Sequence, residues 1–176
     1  MLVPLGLAGC AMPADPFASS DQIDTKVQEL GDAIMGLGRV DQAEAARAAR
    51  IAVTYPLILR ERYGVNDPPL VHNTKVNLGR RPRGLCWHWA EDLEARLAQD
   101  SFQTLELHRA ISNATTLLID HSTVVISARG AEMEQGIVLD PWRNGGDLFW
   151  AKVPDDPRYD WERRSVVMDR KRQTWR

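Results

Sequence analysis

Residues 84–98 read GLCWHWAEDLEARLA, a glycine and a cysteine followed by an amphipathic helical pattern. The apolar residues recur at offsets of three, four, seven and eleven from the cysteine, which places on one helix face Cys86, Trp89, Ala90, Leu93 and Leu97. This spacing predicts a buried helix over 86–98 that begins at Cys86. His88 lies about 200° around such a helix from Cys86. We therefore expect His88 to face away from the thiol, as a surface or second-layer residue.

The segment before this helix predicts a helical hairpin and then a loop. Apolar residues at spacings of three and four predict a helix over 21–38, and an alanine-rich pattern predicts a second helix over 41–62. Together they would form a hairpin over 21–64. Pro56 predicts a kink or a break in the second helix. Residues 65–85 are rich in Gly, Pro and Asn, which indicates a long irregular loop.

The segment after the cysteine-led helix predicts an antiparallel sheet. Runs rich in β-branched and apolar residues predict strands over 104–110, 117–128, 136–140 and 148–153. The tail over 154–176 is less regular and contains one further candidate strand over 165–168. Helices that are separated from a meandering sheet are typical of an α+β domain. We expect a single such domain over 21–176, with its core over 86–153.

The composition is that of one ordinary globular domain. The chain has 176 residues, of which 44% are hydrophobic, and a formal net charge of −2 from 22 basic and 24 acidic residues. A chain of this length buries about two thirds of its unfolded surface. This composition excludes a disordered tail protein and a disulfide-stapled miniprotein. The near-neutral charge gives no reason to expect nucleic acid as a partner.

The first of the two cysteines, Cys10, follows an apolar run within residues 1–20. That run is far shorter than the ~20 residues needed to span a bilayer, and it matches the end of a secretory signal peptide. Residues 7–10, LAGC, resemble a bacterial lipobox, in which signal peptidase II cuts before the cysteine and the thiol carries a diacylglycerol. The resemblance implies that residues 1–20 are a signal remnant and tether. With Ala11 after the cysteine, it implies an outer-membrane lipoprotein facing the periplasm. The alternative is a chance cysteine in an apolar N-terminus.

The second cysteine is a candidate nucleophile. If Cys10 carries a lipid, Cys86 has no partner for an intramolecular disulfide. A thiol at the N-terminus of a helix lies at the positive end of the helix dipole, which favours the thiolate. Two alternatives are an inert core cysteine and a metal ligand that acts with His88, His121 and Asp140.

A general base for Cys86 is predicted from the pairing of two strands. His121 begins one predicted strand and Asp140 ends the next. A hairpin that is symmetric about residues 130 and 131 would place them directly opposite each other on one face, with Cβ atoms about 4.5–5.5 Å apart. A slip of one residue would put them on opposite faces. His72 and His108 have no acidic residue at a comparable position.

These residues suggest specific roles in acyl transfer. Cys86 would attack an acyl carbon, His121 would move the proton, and Asp140 would fix the histidine tautomer. The backbone N–H of Cys86 is one candidate oxyanion donor. Candidates for the second donor are Asn77 and Asn73, with Arg80 a weaker one. Three tryptophans are candidates for a substrate groove, or alternatively for the core: Trp87, Trp89 and Trp142. No metal or cofactor is expected.

The order of these motifs resembles the transglutaminase-like branch of papain-like cysteine enzymes. The motifs are GLCWHWA at 84–90, HSTVV at 121–125 and VLDPW at 138–142, within a region of about 80–153. The resemblance implies a helix that packs on an antiparallel sheet and a Cys86–His121–Asp140 triad. It also implies hydrolysis or acyl transfer at a peptide or isopeptide bond of a protein or peptide in the cell envelope. Because that branch includes inactive relatives, a catalytically inactive binding or scaffold lipoprotein is the alternative.

Overall fold

The structure, a computed structural model, describes residues 19–113 and 120–174. The described chain forms five α-helices and one five-stranded antiparallel sheet, which confirms the α+β class. In chain order the elements are α1 (Ser20–Met35), α2 (Gln42–Tyr63), α3 (Pro69–Asn77), α4 (Cys86–Ala98), β1 (Leu105–Ser112), β2 (His121–Ala128), β3 (Ile137–Asp140), β4 (Phe149–Lys152), β5 (Glu162–Arg163) and α5 (Arg164–Thr174). Cys10, the predicted lipidation site, lies outside these residues. No helix within them is both long enough and apolar enough to cross a bilayer.

The predicted helical hairpin is confirmed as α1 packed against α2. Ser19 caps α1 in a reciprocal arrangement with Gln22, and the Asp41 side chain accepts a hydrogen bond from the Glu44 amide at the start of α2. Pro56 lies inside α2, and the helix continues through it, so the prediction of a break is wrong. Buried alanines of α2 belong to the main core, and this packing stabilises the helix despite the backbone hydrogen bond that proline cannot donate.

Two segments that the sequence predicts to lack helices, the loop over 65–85 and the tail over 154–176, each contain a helix. Residues 65–85 contain α3, which begins at Pro69, where a fixed φ is favourable and no amide donor is needed. A hydrogen bond of 2.9 Å from the His72 Nε2 to the Arg83 carbonyl oxygen holds this helix against the loop that follows it. The predicted strand over 165–168 is also wrong, since these residues lie in α5. Neighbouring valines suggested a strand there, but only Val167 is buried.

The sheet has the strand order β4-β3-β2-β1-β5. Helix α4 packs on β2 and against α2, so the main core lies between the helices and one face of the sheet. The other face carries a smaller core that includes Val125, Val138 and Trp161. The cysteine-led helix is thus held over the central strands, with its N-terminus near the start of β2.

The register between β2 and β3 differs from the predicted one by two residues. Val124 pairs with Leu139 and Ile126 pairs with Ile137, so His121 and Asp140 are diagonal neighbours rather than direct partners. Since side chains alternate with a period of two, an even shift keeps both side chains on the same face of the sheet. The predicted juxtaposition therefore survives the error in register.

Candidate active site

Cys86 is the first residue of α4, as the sequence predicts. The turn before it depends on Gly84, which has a φ of +125°, and a Cβ at this position would lie 2.3 Å from the His72 ring. His88 provides the cap: its Nδ1 accepts hydrogen bonds from the amides of Gly84 at 3.1 Å and Leu85 at 3.2 Å. His88 is buried, so of the two expected positions the surface one is wrong, and the ring lies behind the backbone that precedes Cys86. Its imidazole fixes the backbone that presents the thiol.

The Cys86 thiol borders a cavity although only 5% of the residue is exposed. Its Sγ donates a hydrogen bond to the backbone carbonyl of Asp120 at 3.5 Å. Asp120 directly precedes His121, the first residue of β2. This contact joins the N-terminus of α4 to the start of the strand and brings the thiol beside the imidazole.

His121 and Asp140 form a buried pair. The His121 Nε2 lies 2.6 Å from the Asp140 Oδ2, and both side chains are almost fully buried. Since an ionised carboxylate can only accept, Nε2 carries the proton. The other ring nitrogen, Nδ1, is buried and forms no hydrogen bond with a described residue. It is therefore the nitrogen that can exchange a proton with Cys86.

The pKa of His121 is strongly raised. Burial alone lowers the pKa of an imidazole, but the Asp140 hydrogen bond and the neighbouring Cys86 side chain outweigh it and raise the value to about 9. An imidazole with a raised pKa binds a proton tightly, so it can accept the proton of the neighbouring thiol when the sulfur attacks. The pair therefore has the electrostatic character of a nucleophile with its proton carrier.

Arg143 extends the pair into an ion network that the sequence analysis missed. Its Nε donates to the Asp140 Oδ2 at 3.1 Å, and its Nη1 and Nη2 donate to the two Asp156 oxygens at 3.0 and 2.7 Å. Burial raises the pKa of Asp156, but Arg143 and further hydrogen bonds hold it below its usual range. An arginine three residues after the strand-ending aspartate is the only sequence signal for this network, whereas Asp156 lies in the unassigned tail.

Three aromatic rings surround the imidazole. The ring centroids of Trp142, Tyr159 and Trp161 lie 4.7, 4.6 and 5.3 Å from that of His121. Such packing limits ring rotation and excludes water from the His121–Asp140 bond. Tyr159 and Trp161 were not predicted, because they come from the tail that follows the sheet.

Of the candidate oxyanion donors, the structure connects two to the site, one at Cys86 itself and one through Trp142. The backbone N–H of Cys86 is the first of α4 and has no intrahelical acceptor. Asn73 is buried, and its Oδ1 accepts a hydrogen bond at 3.1 Å from Trp142, the ring that packs on His121, which leaves the Asn73 amide group as a donor. Asn77 and Arg80 are exposed, and no hydrogen bond in the described chain joins them to the site. Asn73 therefore replaces Asn77 as the better-placed candidate.

The cavity beside Cys86 has a volume of about 310 Å³. Trp87 lines it and is 46% exposed, as expected for a groove wall. Trp89 is 1% exposed and donates a hydrogen bond to the Gly84 carbonyl, so it belongs to the core. Trp142 is buried beside His121 and does not line this cavity. Within residues 19–113 and 120–174, no three His, Cys, Asp or Glu side chains lie close enough together to hold a metal ion.

Comparison with known families, proteins and structures finds no relative from which a function could be inferred. No protein-family model, no curated protein and no solved structure matches the chain. The thiol, the imidazole and the carboxylate, in the positions that they occupy, are the basis for a function.

Proposed function

We propose that the protein is a thiol-dependent hydrolase or acyltransferase that acts on a peptide or isopeptide bond. The observation that carries this proposal is the placement of Cys86. It begins a helix at the wall of a cavity, next to a buried imidazole whose Nε2 lies 2.6 Å from the Asp140 carboxylate. A nucleophile, a proton carrier and an orienting group in this order form the arrangement that acyl transfer requires.

In the first half of the reaction, the Cys86 thiol passes its proton to the His121 Nδ1, and the thiolate that forms attacks the carbonyl carbon of the substrate. The oxyanion that forms would accept hydrogen bonds from the Cys86 N–H and from the Asn73 amide. As the tetrahedral intermediate collapses, the carbon–nitrogen bond breaks and the His121 Nδ1 gives its proton to the leaving amine. The products of this half are a free amine and a thioester on Cys86.

In the second half, water or an acceptor amine attacks the thioester. The His121 Nδ1 removes a proton from this nucleophile and returns it to the departing sulfur, so the thiol and the neutral imidazole are regenerated. Asp140 keeps its charge throughout and stabilises the imidazolium. Arg143 donates to Asp140 and is itself held by Asp156, so the two residues fix the position of the Asp140 carboxylate and remain ionised.

The fold and the location of the protein are further parts of the proposal. The order of a helical hairpin, a cysteine-led helix and an antiparallel sheet supports a transglutaminase-like, papain-like core. The LAGC motif at 7–10 supports a lipid on Cys10 and a position in the cell envelope, at the outer membrane and facing the periplasm. Metabolic labelling with an alkyne fatty acid tests this part: the wild-type protein should incorporate the label, and Cys10→Ser should not.

A binding or scaffold protein without catalysis is the second candidate. It is favoured by the low exposure of Cys86 and by the hydrogen bond from its thiol to the Asp120 carbonyl. The same cavity would then hold a peptide of the envelope without cleaving it.

The reactivity of Cys86 distinguishes the two candidates. The protein is treated with iodoacetamide at pH 6–7, and the modification of Cys86 is followed by peptide mass spectrometry, with glutathione as the reference thiol. If the protein is an enzyme, Cys86 should be alkylated faster than glutathione. The reference thiol is slow because a free thiol with a pKa near 8.5 is mostly protonated at this pH. In addition, Cys86→Ala should fold and should lose any activity on envelope peptides. A Cys86 thiol that reacts far more slowly than glutathione would contradict the enzymatic proposal.

A further inference from the structure

One of the basic side chains that line the cavity beside Cys86 has no ion-pair partner in the described chain. Four ionised side chains line it, two acidic and two basic: Glu91, Asp120, Arg109 and Arg164. Glu91 pairs with Arg83 at 3.1 Å, and Asp120 pairs with Lys171. Asp120 thus has a cation of its own from outside the wall, whereas Glu91 shares Arg83 with Asp92, which lies 2.8 Å from the same guanidinium.

The two arginines differ in how they are held. Arg109 is partly buried and donates to Glu94 at 3.3 Å and to the Ser122 hydroxyl at 3.1 Å, so its guanidinium is fixed in the wall. Arg164 is exposed at the first position of α5 and forms no hydrogen bond or ion pair with any described residue. Residues 114–119, ATTLLI, contain no charged side chain that could compensate it.

A second hollow continues the cationic surface away from the thiol. It has a volume of about 260 Å³ and shares Arg109 and Arg164 with the first cavity. Arg163 also lines it but pairs with Glu132 at 2.5 Å, and burial lowers the pKa of His108, which is therefore neutral near pH 7. No carboxylate of the described chain lines this hollow. The two spaces form a path from the nucleophile to a surface that favours an anion.

We infer that this path is a subsite for a carboxylate of the substrate, with Arg164 as the group that binds it and Arg109 as a fixed positive charge behind it. Arginine is suited to this role because its planar guanidinium donates two parallel hydrogen bonds to a carboxylate. The inference rests on the proposed function, since it assigns a substrate class to the same site. The substrate would carry an acidic side chain or a free terminal carboxylate close to the bond that is cleaved.

Two nearly isosteric alkylating agents test the subsite without a known substrate. Iodoacetate and iodoacetamide both lose iodide to the Cys86 thiolate, but only iodoacetate carries a negative charge. We expect the ratio of the iodoacetate rate to the iodoacetamide rate to be higher at Cys86 than at glutathione. In Arg164→Gln this ratio should fall about three- to tenfold, while the iodoacetamide rate stays within about twofold. The matched control is Arg172→Gln, which removes the same charge from the same helix at a residue that pairs with Asp169 and lines neither space; it should leave the ratio unchanged.

Longer probes separate the two sources of the carboxylate. Iodoacetyl-glycine and iodoacetyl-glycinamide differ in a terminal carboxylate, whereas the acetyl-glutamyl and acetyl-glutaminyl chloromethyl ketones differ in a side-chain carboxylate. A preference for the acidic member of either pair that disappears in Arg164→Gln supports the subsite and identifies the source.

The subsite and the proposed function fail in different ways. Suppose that iodoacetamide alkylates Cys86 rapidly, but that Arg164→Gln changes neither the iodoacetate ratio nor the preference within either probe pair. The subsite is then overturned, and the proposed thiol chemistry is still supported. If iodoacetamide itself reacts only slowly with Cys86, the proposed function is overturned, and the subsite with it.

Discussion

Cys86 lies near two buried histidines whose surroundings are very different. His88 accepts hydrogen bonds from two backbone amides, and burial together with the charge of Arg83 lowers its pKa. His121 lies against a carboxylate, and its pKa is raised to about 9 although burial opposes this. Burial is thus common to both rings, and the partner determines whether the pKa rises or falls. Proximity in sequence is a poor guide, because the histidine two residues from the thiol is structural and the one 35 residues away is the candidate base.

The ions behind each ring continue the contrast. Near His88, Arg83 pairs with Glu91 and Asp92 at a partly exposed position. Near His121, Arg143 pairs with Asp140 and Asp156, and only 7% of its side chain is exposed. An exposed ion pair contributes little to stability, whereas removal of one partner from a buried network leaves an uncompensated charge.

The largest expected effect is therefore on the free energy of unfolding, where substitutions of the two arginines should differ. Arg143→Gln should lower the free energy of unfolding by about 3–5 kcal/mol, because Asp156 remains buried without this cation and Asp140 keeps only its pairing with His121. Arg83→Gln should lower it by no more than about 1 kcal/mol. Urea denaturation at pH 7 measures both, and equal costs would show that the two networks do not differ as the burial indicates.

The next effect is the pH dependence of stability, where the two histidines act in opposite directions. The pKa of His121 is higher in the folded than in the unfolded chain, so its contribution is complete below about pH 6.5 and is lost as the pH rises towards 9. The loss amounts to up to about 3 kcal/mol, since each tenfold change in an acid dissociation constant corresponds to about 1.4 kcal/mol. The pKa of His88 is lowered, so its contribution is complete above pH 6.5 and is lost as the pH falls below that value.

Urea denaturation at pH 6 and pH 9 separates these contributions. The wild-type protein should be less stable at pH 9 than at pH 6, and His121→Gln should remove most of this difference. His88→Gln should leave the difference in place. A wild-type stability that is flat between the two pH values would contradict the raised pKa.

A smaller effect, expressed as a rate, concerns the reactivity of Cys86. His121→Gln should slow alkylation of Cys86 by iodoacetamide at pH 6 by at least about tenfold, because the thiolate loses its cationic partner. His88→Gln should change this rate by less than about threefold. Rate constants at the level of the Cys86 peptide measure both. If the two variants slow the reaction equally, the thiol depends on the helix terminus rather than on His121.

The smallest effect is expected from the cap at the start of α4. His88→Leu should cost about 1–2 kcal/mol, since the Gly84 and Leu85 amides lose their acceptor. His88→Gln should recover most of this, because glutamine at the same helix position can accept from the backbone before the helix. Thermal denaturation of the three proteins gives the comparison, and equal destabilisation by both substitutions would contradict the capping role.

Most of the fold was predictable because its signals are local. The helix over 86–98 and the helical hairpin follow from apolar periodicity, and the structure confirms both. Helix α3 was missed because its Pro and Asn residues, with Gly64 and Gly79 on either side, are typical of a loop, and it is held by a contact of His72 with Arg83 that no local pattern shows. Helix α5 was missed because its valines have strand propensity and its position depends on packing against β1.

The candidate site divides in the same way. The sequence by itself determined that Cys86 begins a helix and that His121 and Asp140 share one face of a sheet, because a period of two makes that face robust to an even shift of register. Only the tertiary structure decided that His88 is a cap, that Asn73 rather than Asn77 approaches the site, and that Arg143, Asp156 and Arg164 surround it. The His88 cap is local but depends on the burial of the ring, whereas the positions of Asn73, Asp156 and Arg164 depend on separate segments, whose burial and charge arise only when they pack together.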